Sequence, residues 1–190
     1  LTEADRALLA AVPDDEAAMR RKLGLAAAEQ VGATYQEALQ HPSLNVRGLS
    51  SAATGEKAAN VLPHQAVAEI DLRTTPEADG GHLFGLLRRH VEKQGWHLVN
   101  GEPTDEERAL HPRLARLALG RGSRAARQPY DSAVGRWATA ALESAFSVKG
   151  ADGGPVRIRM MGGTVPTHEI VTPLAQPFVI VPLVNADNNQ

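Results

Sequence analysis

Seven histidines are the natural metal ligands of a chain that has no cysteine, yet their spacing encodes no helix-borne zinc site. His168-Glu169 is followed by Ile-Val-Thr and lacks the second His that His-Glu-x-x-His requires. His82 and His90 share a helix with its apolar stripe, so packing or surface roles outweigh ligation, and His97 and His111 read the same way. Asp187 lies just beyond a buried-looking strand, where open α/β sheets place their chemistry; a solvated turn is the stronger alternative. Without cysteine there is no thiolate nucleophile, and without Gly-x-Ser-x-Gly or Ser-x-x-Lys serine hydrolysis has no motif.

Binding chemistry is better represented. In Gly162-Gly163-Thr164-Val165-Pro166-Thr167, paired glycines precede a Thr cap and an early proline. That order describes a tight strand-to-helix turn with free amides, able to hold an anion or oxyanion, and a plain helix cap is an equal reading of it. Arg73, on the polar side of a strand, is a candidate bidentate carboxylate clamp, although a surface salt bridge is the stronger reading of the residue taken alone. Arg113, Arg116, Arg121, Arg124 and Arg127 form a local basic patch that a phosphate could meet, but no aromatic interleaves it before Tyr130, and a solvated linker outweighs that role. Gly120-Arg121-Gly122-Ser123-Arg124-Ala125 imitates a dinucleotide fingerprint in the wrong context, after a helical segment instead of a strand.

These residues need elements to position them. Thr2-Glu3-Ala4-Asp5 resembles a capping box ahead of a helix stopped by Pro13; Asp14 and Asp15 restart a helix with Ala18, Met19 and Leu23 on its apolar side, ended by Gly24. A third helical stretch runs through Tyr35 and Leu39 until His41-Pro42. Residues 43–49 read as a strand and 50–60 as a loop. From Ala66, alternation puts Ala68, Ile70 and Leu72 on one dry face and Val67, Glu69, Asp71 and Arg73 on the other, so Arg73 points away from the core. Leu83, Leu86, Leu87, His90 and Val91 follow at the spacing of an amphipathic helix ended by Gly95, with a short strand at 96–99. Residues 101–130 show weak periodicity and are taken as the domain boundary. Beyond it come a helix through Val134, Trp137, Ala138 and Leu142, a strand over 156–160, the glycine turn and a buried parallel strand over 178–184. The fold class is α/β.

Composition closes off other classes. With 43% hydrophobic and 22% charged residues over 190 positions, the chain is a folded protein and no disordered tail. A formal charge of −2 supplies no field to gather a polyanion, so nucleic acid is not an expected partner. The apolar runs are too short to cross a bilayer, so no membrane is expected, and the cytoplasm is the default location. Both ends read as cut, with further polypeptide expected on each side.

Three segments in order carry a resemblance: Pro42-Ser43-Leu44-Asn45-Val46-Arg47-Gly48, then Ala58-Ala59-Asn60-Val61-Leu62-Pro63 leading into Ile70-Asp71-Leu72-Arg73, then Gly162-Gly163-Thr164-Val165-Pro166. Together they resemble the zinc peptidase family that includes carnosine dipeptidases, glutamate carboxypeptidases, aminoacylases and succinyl-diaminopimelate desuccinylases. The resemblance implies a two-layer α/β sandwich lid, or dimerisation, domain over 1–125 and an incomplete α/β catalytic domain over 126–190. It implies a homodimer formed through the lid, a peptide or N-acyl amino acid substrate, and two zinc ions whose ligands, bridging Asp and Glu base lie in polypeptide outside this chain. Neither metal ligands nor catalytic residues are expected here, and the chain alone is expected to be inactive. By the same resemblance Arg73 grips the substrate carboxylate, Asn60 reaches an active site, often the partner subunit's, and Gly163 and Thr164 contact the substrate backbone. Asn60 stands where the dipeptidases tend to have Thr, so dipeptidase and acylase activities both stay open. A non-catalytic dimerisation module and a phosphate binder using the arginine patch are the rivals from other classes.

Overall fold

The computed structural model describes residues 1–29, 31–146, 155–163, 165 and 167–182. It is a mixed α/β fold with small sheets, and it divides into two compact units. One is Pro42–Ala125; the other joins Leu1–His41 to Ala126–Gln190. Residues 1–41, expected with the first domain, thus cluster with 126–190.

In the 42–125 unit, β1 (Ser43–Ser50) runs antiparallel to β2 (Val67–Arg73). The register sets Leu44 opposite Leu72, Val46 opposite Ile70 and, past a bulge at Arg47, Leu49 opposite Ala68. Directly opposed residues share a face, so the bulge keeps Leu49 on the apolar side with Leu44 and Val46 despite the odd spacing. The alternation that fades after Val46 is restored by that one extra residue. Asp71 and Arg73, opposite Asn45 and Ser43, occupy the polar face as expected. The long connection is a loop interrupted by a 3-10 turn over Gly55–Lys57, and Ser51 Oγ donates to the Gln65 carbonyl at 3.1 Å across its base.

Helix α4 (Gly80–Lys93) is capped by the Asp79 carboxylate, which accepts the His82 amide at 2.9 Å, and it passes into Gly95 at φ 84°. Its leucines meet one end of the sheet's apolar face: Pro42, Ser43, Leu44, Leu72, Leu83, Leu86, Leu87 and His90 line a cavity of about 460 Å³. The other end stays open. Val46 and Leu49 are 53% and 78% exposed and Ala68 is exposed, so the dry face expected of β2 is dry only where α4 covers it.

The stretch expected to be a linker is partly folded. α5 (Asp105–Leu110) opens with a reciprocal capping box between Thr104 and Glu107, and β4 (Leu114–Ala115) pairs in parallel with β3 (His97–Leu98). Both elements are too short for periodicity to betray; the Thr-x-x-Glu box was the available signal.

In the other unit, α1 (Glu3–Ala10) carries the expected capping box, α2 (Glu16–Leu23) ends at Gly24 in the left-handed region, and α3 (Tyr35–Ala38) precedes Pro42. Leu23, expected on the apolar side, is 62% exposed. Arg6 is ion-paired with Glu37, linking α1 to α3. Helix α6 (Ala133–Phe146) is entered through Ser132, whose Oγ accepts the Gly135 amide at 3.3 Å, and α7 (Thr167–Leu174) follows the glycine bend. Two expected strands are absent: 156–160 and 178–182 are irregular, and 183–184 lie outside the described residues. Alternation reports which face a side chain prefers, while a strand also needs a ladder partner, and the described sheets pair only β1 with β2 and β3 with β4.

Candidate substrate-binding site

Arg73 closes the polar face of β2. Its Nε donates to Asp71 Oδ2 at 2.6 Å, with the two side chains 51% and 34% exposed. Residues two apart on a strand share a face, so this pair is what the pleat dictates. The salt bridge expected as the ordinary alternative is therefore present, and it is compatible with the clamp: a carboxylate on Nε fixes the plane of the guanidinium fork. Asp71 is the neighbour that spacing alone put on the same face as Arg73 without revealing the bond.

Asn60 lies at a bend in the exposed loop between Ser50 and Val67. Because Ser50 pairs with Val67 and Ser43 with Arg73, the base of the loop and Arg73 are at opposite ends of the hairpin, about 20 Å apart along the strand at the usual rise per residue.

Gly163 belongs to the other unit, at an exposed bend with Gly162. A Cβ on Gly162 would come within 3.1 Å of Leu39 Cδ2, so the bend passes the end of α3 at a distance that only glycine accepts without displacement. Thr164 and Pro166, the expected cap and early proline, lie outside the described residues, as does Asp187.

The zinc ions implied by the resemblance find no fitting ligand set among the described residues, where no three His, Asp or Glu side chains gather in a way that could hold a metal. The nearest approach shows why. His97 and His111 stack with ring centroids 3.7 Å apart and 2° between planes, and His97 Nε2 is 4.0 Å from Glu107 Oε1. Parallel stacked rings direct their in-plane lone pairs side by side, not at one point. Glu107 is held below the usual carboxylate range, first by the Thr104 amide and hydroxyl that it caps and then by the two imidazoles. The group is a packing and capping cluster.

The basic patch is largely engaged. Arg113 donates to the Gln94 carbonyl at 3.2 Å, Arg116 pairs with Glu102 at 3.5 Å, and Arg127 donates to Met160 Sδ at 3.6 Å. No helix among the described residues is long and apolar enough to cross a membrane.

Among solved structures, an M20 family metallo-carboxypeptidase from Sulfolobus solfataricus matches with a TM-score of 0.65 and 29% sequence identity, over 92% of this chain and 36% of that chain. This similarity supports the M20 metallopeptidase family of hydrolases for the chain, without choosing among its members. The chain spans little more than a third of that protein's length. No family model matches the chain, and no curated protein matches it.

Proposed function

We propose that this chain is part of a two-zinc metallohydrolase that cleaves a peptide or N-acyl amide bond next to a free carboxylate, and that it supplies carboxylate binding and dimerisation. The observation that carries this is the metallo-carboxypeptidase likeness over 92% of the chain at 29% identity. Arg73 supports it from chemistry: an exposed guanidinium, steadied through Nε by Asp71, is the group a substrate carboxylate seeks. Fixing one end of a substrate that way sets which amide meets the reacting groups.

Gly163 and Thr164 hold the substrate backbone through the amides of the glycine bend. Asn60 serves the site of a second copy, a role supported by a loop that leaves the hairpin at the end remote from Arg73. Association through the 42–125 unit is supported by the uncovered apolar side of that hairpin, where Val46 and Leu49 stand exposed. The metal is held by residues beyond those described. The enzyme works in the cytoplasm.

The test is hydrolysis by the intact protein of a panel of dipeptides and N-acyl amino acids, each with its carboxyl-amidated counterpart. Cleavage confined to the free carboxylates supports the proposal, and no hydrolysis of any member rejects it.

A further inference from the structure

The segment that leads into the glycine bend, 155–161, has no strand ladder to hold it. At Val156, Ile158 and Arg159 burial is also the reverse of hydropathy. Val156 and Ile158 are 49% and 53% exposed, while the Arg159 side chain is turned inward at 13% exposure. A guanidinium leaves water only where fixed acceptors replace it. Here they are Asp5 on α1 and Gln40 just past α3: Nε donates to Asp5 Oδ1 and one terminal nitrogen to Gln40 Oε1, each at 2.7 Å.

Both acceptors are themselves pinned. Asp5 Oδ2 accepts the Thr2 amide and hydroxyl at 2.9 Å, closing the α1 capping box, so one carboxylate binds a helix end with one oxygen and Arg159 with the other. The buried Gln40 donates its side-chain amide to the Gln36 carbonyl at 3.0 Å. Its neighbour Leu39 is the residue whose Cδ2 abuts Gly162. The brace and the bend therefore meet the same short stretch of chain.

We infer that Arg159 is a positioning residue: its inward guanidinium, spanning Asp5 and Gln40, fixes where the Gly162–Gly163 bend lies and so where the bend's amides meet the substrate backbone. This rests on the proposed function. A planar fork suits the task, because a lysine ammonium reaches one of the two acceptors and cannot hold the plane between them. The Thr2 hydrogen bonds, joined by Arg159, lower the Asp5 carboxyl to about 2, so the brace stays charged at any pH near neutrality.

The experiment compares Arg159→Lys, Arg159→Met and Gly162→Ala in the intact enzyme, by thermal melts and by steady-state kinetics on a dipeptide or N-acyl amino acid where all remain folded. Arg159→Lys is expected to lower kcat about tenfold or more, with KM changed less than about twofold, because misplaced amides cost the transition state more than binding. Arg159→Met is expected to fall further. Combined with Gly162→Ala, Arg159→Lys is expected to lose less than the product of the single losses, since both act through the bend. Lower melting with kcat and KM unchanged would make Arg159 a stability residue only and overturn the inference while leaving the proposed function intact. A wild type without hydrolysis overturns both. Should the Arg159 variants fail to fold, Gln40→Ala, which spares the Arg159–Asp5 pair, carries the same expected loss of kcat and the same contrary result.

Discussion

Arg73 and Asn60 stand at opposite ends of one antiparallel hairpin, with Arg73 opposite Ser43 at the open end and Asn60 on the loop beyond the Ser50–Val67 pair. A dipeptide is far shorter than the strand between them. We propose that, where both residues serve one substrate, they come from two copies of the chain.

That geometry predicts complementation. Arg73→Ala and Asn60→Ala proteins, each nearly inactive, are mixed and allowed to exchange subunits. Half of the resulting dimers then carry one site with both residues intact, so activity returns to roughly a quarter of wild type. No recovery after verified exchange would place both residues in one subunit's site or remove one of them from it.

Asp71 is expected to matter through Arg73. Asp71→Asn keeps the shape but weakens the charge-assisted bond to Nε, and KM for a carboxylated substrate is expected to rise roughly three- to tenfold with a smaller change in kcat. Initial-rate kinetics on both proteins measure this split.

Asp5 gives a pH prediction with a definite sign. Its folded-state pKa is lowered from 3.8 to about 2, so its stabilisation is complete above about pH 4 and is lost as pH falls toward 2. Urea unfolding from pH 6 down to pH 2.5 is expected to show a decline that Asp5→Asn flattens, with the variant less stable than wild type at pH 6. Parallel curves would remove Asp5 as the source.

Gly85 inside α4 and Gly95 just past its end predict opposite signs. Gly95 terminates α4 at φ 84°, so Gly95→Ala is expected to cost about 1–2 kcal/mol of stability. Gly85 is helical, and a Cβ there would meet only the tip of Arg89 at 3.6 Å. Gly85→Ala is expected to stabilise by about 0.5–1 kcal/mol. Denaturant titrations of the two variants check both values.

How legible this was in the sequence depended on whether the signal was local. Capping at Thr2 and Asp15, the stop at Gly24, the α4 stripe and the two faces of β2 were all fixed by neighbours a few residues apart, and the structure has them. Segments 156–160 and 178–182 looked like strands because alternation was present, but pairing depends on a partner that alternation does not encode. The Arg159 brace was illegible for the same reason: its acceptors, Asp5 and Gln40, are 154 and 119 positions away. At the candidate site, the outward face of Arg73 followed from the pleat, whereas its bond to Asp71 depends on side-chain conformations that spacing does not set.

The central claim is that Arg73 binds the substrate's carboxylate, and the most direct measurement is the ratio of kcat/KM for a free-carboxylate substrate to that for its amidated counterpart, in wild type and in Arg73→Ala. The account predicts a preference of about a hundredfold or more in wild type, from a bidentate charged contact, that falls to within a few-fold of unity in the variant. An Arg73→Ala enzyme that keeps the wild-type preference would contradict it.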